Sequence, residues 1–255
     1  MKPVVFGWSS PSGMAAAILA LADPDARAMA GGQSLGPMLN LRATRPATVV
    51  PLVGLAELHG VEETADAITL GAATTHAEIA DGRTPDLALP GPTLARIASG
   101  IAYRAIRNRG TLGGSLCHAD PAADWLTTLT ALSATVLTTR RALPIDQFVT
   151  GPYRTALDAG EIVRAVRIPR PPAGARFGYH KLCCKPGQFA HAMVAVLITG
   201  GMRIAIGAIG GPPIVLSHPD DATAALDFLD PVDRQLQMVA MRRALAQASE
   251  MGAGA

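Results

Sequence analysis

The chain is short of the residues that several functional classes demand. Its 255 residues include only three cysteines, Cys117, Cys183 and Cys184, too few for a disulfide framework or for the four thiolates of an all-cysteine iron–sulfur cluster, and no C-x-x-C occurs. Neighbouring Cys183 and Cys184 would bridge only with strained geometry. Reduced thiols are expected, and any cluster must belong to a partner. Aromatic residues make up 4%, so the core falls to Ala, Leu, Val and Ile. Neither charge sign dominates: 22 Lys and Arg face 20 Asp and Glu, and without a basic stripe no nucleic-acid partner is expected. The pairs Arg140–Arg141 and Arg242–Arg243 are expected on solvated surface. No apolar run reaches the roughly 20 residues of a membrane span. The start M-K-P-V-V-F-G-W-S-S lacks the apolar region and cleavage site of a secretion signal, so a cytoplasmic location is expected. The fingerprints G-x-G-x-x-G and G-x-x-x-x-G-K-[ST] are also missing, which argues against a Rossmann enzyme or a P-loop ATPase.

What is present is apolar chain, 49% of the residues, enough for one large or two modest cores. A helix is expected around Gly13–Leu21, with Ser12 as its cap. The strand A-R-A-M-A then delivers A-G-G-Q-S-L, and T-V-V-P-L near Val50 reads as another short buried strand. From about Leu55 a second unit follows: strand A-I-T-L-G-A, helix P-T-L-A-R-I-A, and a helix in A-D-W-L-T-T-L-T-A-L-S-A with Leu126, Leu129 and Leu132 on one face and Pro121 in its first turn. Strands A-T-V-L-T-T and E-I-V-R-A-V-R-I close this unit. I-P-R-P-P-A-G-A is the best linker in the chain and places a boundary near Pro172. Beyond it, H-A-M-V-A-V-L-I-T and M-R-I-A-I-G-A-I form a hairpin through Gly200 and Gly201. Helices around Ala222–Leu229 and Val232–Ser249 complete the chain, and the tail M-G-A-G-A is expected to be disordered.

Two loops are matched, A-G-G-Q-S at 30–34 and T-L-G-G-S at 111–115. Each sets two glycines and a Ser hydroxyl at an expected strand exit. Bare backbone there leaves N–H groups open to an anion, so the pair could clamp the two phosphates of a dinucleotide with Ser34, Ser115 and Thr111 and no lysine. Ordinary glycine turns are the competing reading. His118 beside Cys117 suggests a metal, but adjacent side chains rarely reach one ion and no further ligand lies at the right spacing. His180 and His191 are expected on strands, and His59, His76 and His218 on surface or loop.

The strings A-G-G-Q-S-L, L-R-A-T-R-P, G-T-L-G-G-S-L-C-H-A-D-P-A-A-D and Y-H-K-L, in this order over nearly the whole chain, resemble the FAD-binding medium subunit of molybdenum hydroxylases, the flavoprotein of the carbon monoxide dehydrogenase and xanthine dehydrogenase family. The resemblance implies an α/β (α+β) fold of the molybdopterin dehydrogenase (PCMH) type. An FAD-binding domain at 1–171, with subdomains at about 1–54 and 55–171, would precede a small C-terminal α/β domain with an antiparallel sheet at 172–255. It assigns Ala30, Gly31, Gly32, Gln33, Ser34 and Leu35 to the first diphosphate loop and Thr111, Gly113, Gly114 and Ser115 to the second. Asp124 would bond the ribityl chain; its ordinary reading is a carboxylate favoured at a helix N-terminus. His118 would line the pocket, Ile162 and Val163 would touch the flavin, Lys181 would lie near the ring system, and Phe189 would lie over its face. For these last four the bland readings are core strand, solvated lysine and core phenylalanine. No metal site is expected. The chain would be an oxidoreductase's electron-output subunit, passing electrons from a small iron–sulfur subunit through FAD to an external acceptor. A large molybdenum-cofactor subunit would oxidise the substrate, with a dimer of heterotrimers as the assembly. A self-sufficient FAD oxidoreductase and a non-catalytic dinucleotide-binding module are the alternatives. Two departures stand out: Gly36 replaces a large apolar residue after the first loop, and the C-terminal domain is short.

Overall fold

The computed structural model describes residues 2–250, so the expectation for the tail lies outside the described residues. The chain begins with strand β1 (Gly7–Trp8), helix α1 (Met14–Leu21), strand β2 (Ala26–Met29), helix α2 (Leu35–Asn40) and strand β3 (Thr48–Pro51). The three strands form a parallel sheet in the order β1-β3-β2. Ser12 does not cap α1. Gly13 is the N-cap residue and has no side chain to offer, and the first N–H, of Met14, donates instead to Glu57 Oε1 at 3.3 Å.

Next come β4 (Val61–Glu63), β5 (Ala67–Gly71), α3 (His76–Ala80), α4 (Thr93–Ser99), α5 (Arg104–Arg107), α6 (Leu112–His118) and α7 (Asp124–Ala131). They lead into β6 (Thr135–Thr138), β7 (Ala142–Pro144), α8 (Ile145–Phe148), β8 (Val149–Gly151), β9 (Arg154–Thr155) and β10 (Val163–Pro169). An antiparallel sheet in the order β4-β5-β10-β6-β7 is the floor of this unit. A Thr75/Glu78 capping box starts α3, satisfying two of the N–H groups a helix leaves open.

The remainder is a four-stranded antiparallel sheet, β11 (Arg176–Leu182), β12 (Ala192–Ile198), β13 (Met202–Gly207) and β14 (Ile214–Leu216), with α9 (Ala222–Ala225) and α10 (Pro231–Glu250). The expected β12–β13 hairpin is present. Its uninterrupted apolar sequence has a simple cause: the sheet is covered on both faces. Val194 and Val196 point into a core with α10, whereas Ala195 and Ala205 join the main core of the first two units, so no position on β12 needs a polar residue.

Helix α7 lies between the two layers, touching both β12 and β13. All eight of its residues are buried, threonines included, so the expected single leucine face is a buried element on every side. Pro121 precedes the helix rather than entering its first turn, and its carbonyl accepts the N–H of Ala208 at 3.0 Å.

Candidate functional site

A cavity of about 880 Å³ opens between the first and second units, with residues 187–189 at its margin. Its walls include both glycine loops. Ala30, Gly31, Gly32, Gln33, Ser34, Leu35, Thr111, Gly113, Gly114, Ser115, His118, Asp124, Ile162, Val163 and Phe189 all line it. Lys181 stands one step behind, bonded to Asp124.

The loops are not equivalent. After β2, Gly31 packs so closely on the next layer that a Cβ would lie 1.7 Å from the carbonyl oxygen of Arg109, and Gly32 adopts φ +71°. Among the described residues the N–H groups of Gly31, Gly32, Gln33 and Ser34 meet no acceptor. Successive open N–H groups around a left-handed residue form a concave nest suited to an anion. Gln33 folds back, donating from Nε2 to the Gly31 carbonyl at 2.9 Å.

The second loop departs from expectation. It is not a strand exit but the first turn of α6, preceded by α5 and held by a bridge between Thr111 and Thr75. Its glycine and serine N–H groups are already used: Gly113 donates to the Ala72 carbonyl at 2.9 Å and Ser115 to the Thr111 carbonyl at 3.0 Å, while Gly114 donates to Thr111 Oγ1 at 3.0 Å. The glycines here are required by packing. A Cβ on Gly113 would lie 2.6 Å from Ala72 Cβ, and one on Gly114 would lie 2.8 Å from Thr111 Oγ1 and 3.3 Å from Ala30 Cβ. This turn therefore supplies a close wall and the Ser115 hydroxyl, not a second nest.

Asp124 opens α7 and is 5% exposed. Its Oδ1 accepts the Tyr179 hydroxyl at 2.6 Å and Lys181 Nζ at 2.8 Å, leaving Oδ2 outside both bonds on a residue that lines the cavity. The lysine is not solvated: its side chain is 9% exposed and it also donates to the Gly100 carbonyl at 3.1 Å. Burial, then the Asp124 charge, pushes the Tyr179 phenol well above its ordinary range.

Glu161, absent from the expected set, lines the same cavity. Burial pushes its carboxyl up, but hydrogen bonds from Arg141, the Asp158 N–H and Thr138 outweigh that and bring it to about 2. Arg141 lies on the surface as expected, its side chain 41% exposed, and from there it holds Glu161 through Nε at 3.1 Å and Nη2 at 2.9 Å. Ile162 and Val163 are each 4% exposed, an apolar wall beside it. Phe189 lies 62% exposed at the margin, near a bridge between Gly187 and Ile101. Cys117 is reached by solvent through the cavity it lines, while the protein packed around it pushes its thiol up to about 12. His118 packs on Tyr153 with ring centroids 5.2 Å apart.

His76 corrects an expectation outright. It is a buried residue of α3, 5% exposed, and its Nδ1 accepts the indole N–H of Trp125 at 3.1 Å. His191 precedes β12 rather than lying in it, and its Nε2 is 3.3 Å from Cys184 Sγ. His180 does sit on β11, facing Arg243 and Gln247 of α10. His59 and His218 are exposed as expected. Gly36 stands in the first turn of α2 with open space where a side chain would go. His76 and Glu161 had no signal of their own: each is a common residue whose neighbours come from distant parts of the chain.

Residues 4–171 match the family described as the FAD binding domain in molybdopterin dehydrogenase. Among curated relatives, the nicotine 6-hydroxylase medium subunit of Paenarthrobacter nicotinovorans is 36% identical over 83% of this chain and 77% of that protein. The carbon monoxide dehydrogenase medium chain of Hydrogenophaga pseudoflava is 33% identical over 78% of this chain and 70% of that one. A solved carbon monoxide dehydrogenase from Hydrogenophaga pseudoflava superposes with TM-score 0.89 at 28% identity, covering 98% of this chain and 99% of its counterpart. Quinoline 2-oxidoreductase from Pseudomonas putida 86 superposes with TM-score 0.84 at 28% identity, over 99% and 100%.

Proposed function

The chain belongs to the FAD-binding domain family of molybdopterin dehydrogenases, the medium flavoprotein subunits of molybdenum hydroxylases, and from that premise we propose that it is the electron-output subunit of such an enzyme. It would take electrons from iron–sulfur centres on a small subunit and pass them to an external acceptor. A large subunit would carry the molybdenum cofactor and oxidise the substrate.

One observation carries the reading: the nest of open N–H groups at Gly31–Ser34 faces a cavity large enough for a dinucleotide. The residues fit FAD. The nest and the hydroxyls of Ser34 and Ser115 would hold the diphosphate. Asp124 Oδ2 would accept from a ribityl hydroxyl while Lys181 and Tyr179 keep Oδ1. Ile162 and Val163 would press on the ring system and Phe189 would shield its outer face from water. His118 and Leu35 would complete the walls. When bound, the flavin supplies a redox centre able to exchange electrons singly or in pairs.

The division into 1–171 and 172–255 belongs to the same proposal, supported by the reach of the family match. So does a dimer of heterotrimers as the assembly. Among the described residues no helix is long and apolar enough to cross a membrane.

The test is reconstitution of the full chain with its two partner subunits. Gly32→Asp, which puts a carboxylate into the nest, is expected to abolish flavin binding. In the complex, substrate should still reduce the iron–sulfur centres of that variant while transfer to the acceptor stops. Full FAD occupancy in Gly32→Asp would overturn the nest assignment, and substrate turnover by the chain alone would replace the electron-output role with that of a self-sufficient oxidoreductase.

A further inference from the structure

The N–H groups of Leu112, Gly113, Gly114 and Ser115 in the second loop are used within the protein, so an anion in the first loop's nest has no second nest of backbone donors on its other side. A side chain stands there instead. The indole N–H of Trp125 can only donate, so the His76 Nδ1 that it meets at 3.1 Å is the acceptor and the ring proton lies on Nε2. Burial, reinforced by the Arg107 charge, lowers His76 to about 4, so the ring is neutral and this tautomer is the one present at neutral pH.

His76 is 5% exposed and forms part of the cavity wall. With Nδ1 turned into the core, the opposite edge carries a donor with no acceptor among the described residues. An N–H that meets no protein acceptor at a cavity wall is left for a ligand or water to complete. Gly110 keeps that edge clear: a Cβ there would come within 2.9 Å of Cδ2 and 3.1 Å of Nε2. The position is set by the loops themselves, since the His76 N–H donates to the Gly110 carbonyl at 2.9 Å and Gly31 packs on the carbonyl of Arg109. His76 thus stands where the two loops meet.

The geometry points to His76 as a further binding residue of this site, its Nε2–H donating to a diphosphate oxygen of the dinucleotide at the seam of the two glycine loops. This rests on the FAD reading above. Trp125 is the positioning residue, fixing the tautomer that presents the proton.

The experiment uses the full chain stripped of flavin and compares His76→Gln, which places an amide N–H near the Nε2 position, with His76→Asn, which reaches only the Nδ1 position. FAD affinity by flavin fluorescence should fall about tenfold in His76→Asn and stay within about threefold of the unsubstituted chain in His76→Gln. Phosphorus NMR of the bound FAD should show diphosphate signals displaced in His76→Asn and restored in His76→Gln. Equal FAD affinity in His76→Asn and the unsubstituted chain would overturn the proposal, as would equal losses in both variants or a loss with unmoved phosphorus signals. An unsubstituted chain that bound no FAD would instead overturn the dinucleotide reading and leave nothing for His76 to bind.

Discussion

Asp124 shows how one residue joins stability to ligand binding. Its buried carboxylate balances the buried ammonium of Lys181 and accepts the Tyr179 phenol on the same oxygen, leaving the other for the cavity. Removing one partner of such a pair strands the other charge in a poor solvent, a loss of about 3–5 kcal/mol. Asp124→Ala is therefore expected to lower the urea unfolding midpoint of the flavin-free chain as well as weakening FAD. Asp124→Asn should restore part of the packing but not the charge balance. Unchanged flavin-free stability in Asp124→Ala would show that the Lys181 contact contributes nothing, and would return the lysine to an ordinary surface role.

Among the elements, the seam between β11 and α10 is closely packed. Gly178 on β11 faces the helix so closely that a Cβ would lie 1.8 Å from the Ala244 carbonyl oxygen, a rigid backbone atom that no rotamer change can move aside. Overpacking of this kind costs about 1–3 kcal/mol or more. Gly178→Ala should shift α10 outward and lower the thermal midpoint. Gly36→Ala, in open space on α2, should leave the midpoint unchanged or raise it, because helix propensity favours alanine. A Gly178→Ala midpoint equal to the parent's would mean that the helix seats against the sheet less closely than this.

Across the whole molecule, two buried groups, His76 and Glu161, contribute most to the acid response. His76 takes up its proton near the usual 6.5 when unfolded but only at about 4 when folded. The folded state binds fewer protons between those values, so stability is complete above about 6.5 and falls by about 3 kcal/mol as pH drops to about 4. Glu161, lowered from 4.5 to about 2, contributes stability present above 4.5 and lost as pH falls toward 2. Urea midpoints of the flavin-free chain should decline in two stages, the first between pH 6.5 and 4. His76→Gln should shrink that first stage to the part that His180, also lowered by burial and the Arg243 charge, contributes, and leave the second. A first stage undiminished in His76→Gln would assign it to another group.

The sequence by itself determined the family, the two glycine loops, the main strands and the hairpin of the C-terminal sheet. Those features are local: paired glycines followed by serine, continuous apolar runs and proline punctuation are written in consecutive residues. It also determined, through three cysteines and no ligand cluster, that metal chemistry had to be sought elsewhere. The tertiary structure decided the rest, because it depends on residues far apart in the chain. Only folding revealed that Gly113 is bare because it meets Ala72, so that the first loop alone keeps a run of open N–H groups. Lys181, expected near the flavin ring system with a solvated cation as the ordinary alternative, was shown to pair with Asp124 only once β11 carried it there. His76 looked like a loop residue until α3 and α7 set its ring against Trp125, since a histidine's tautomer and accessible edge are decided by its neighbours and not by its position in the chain.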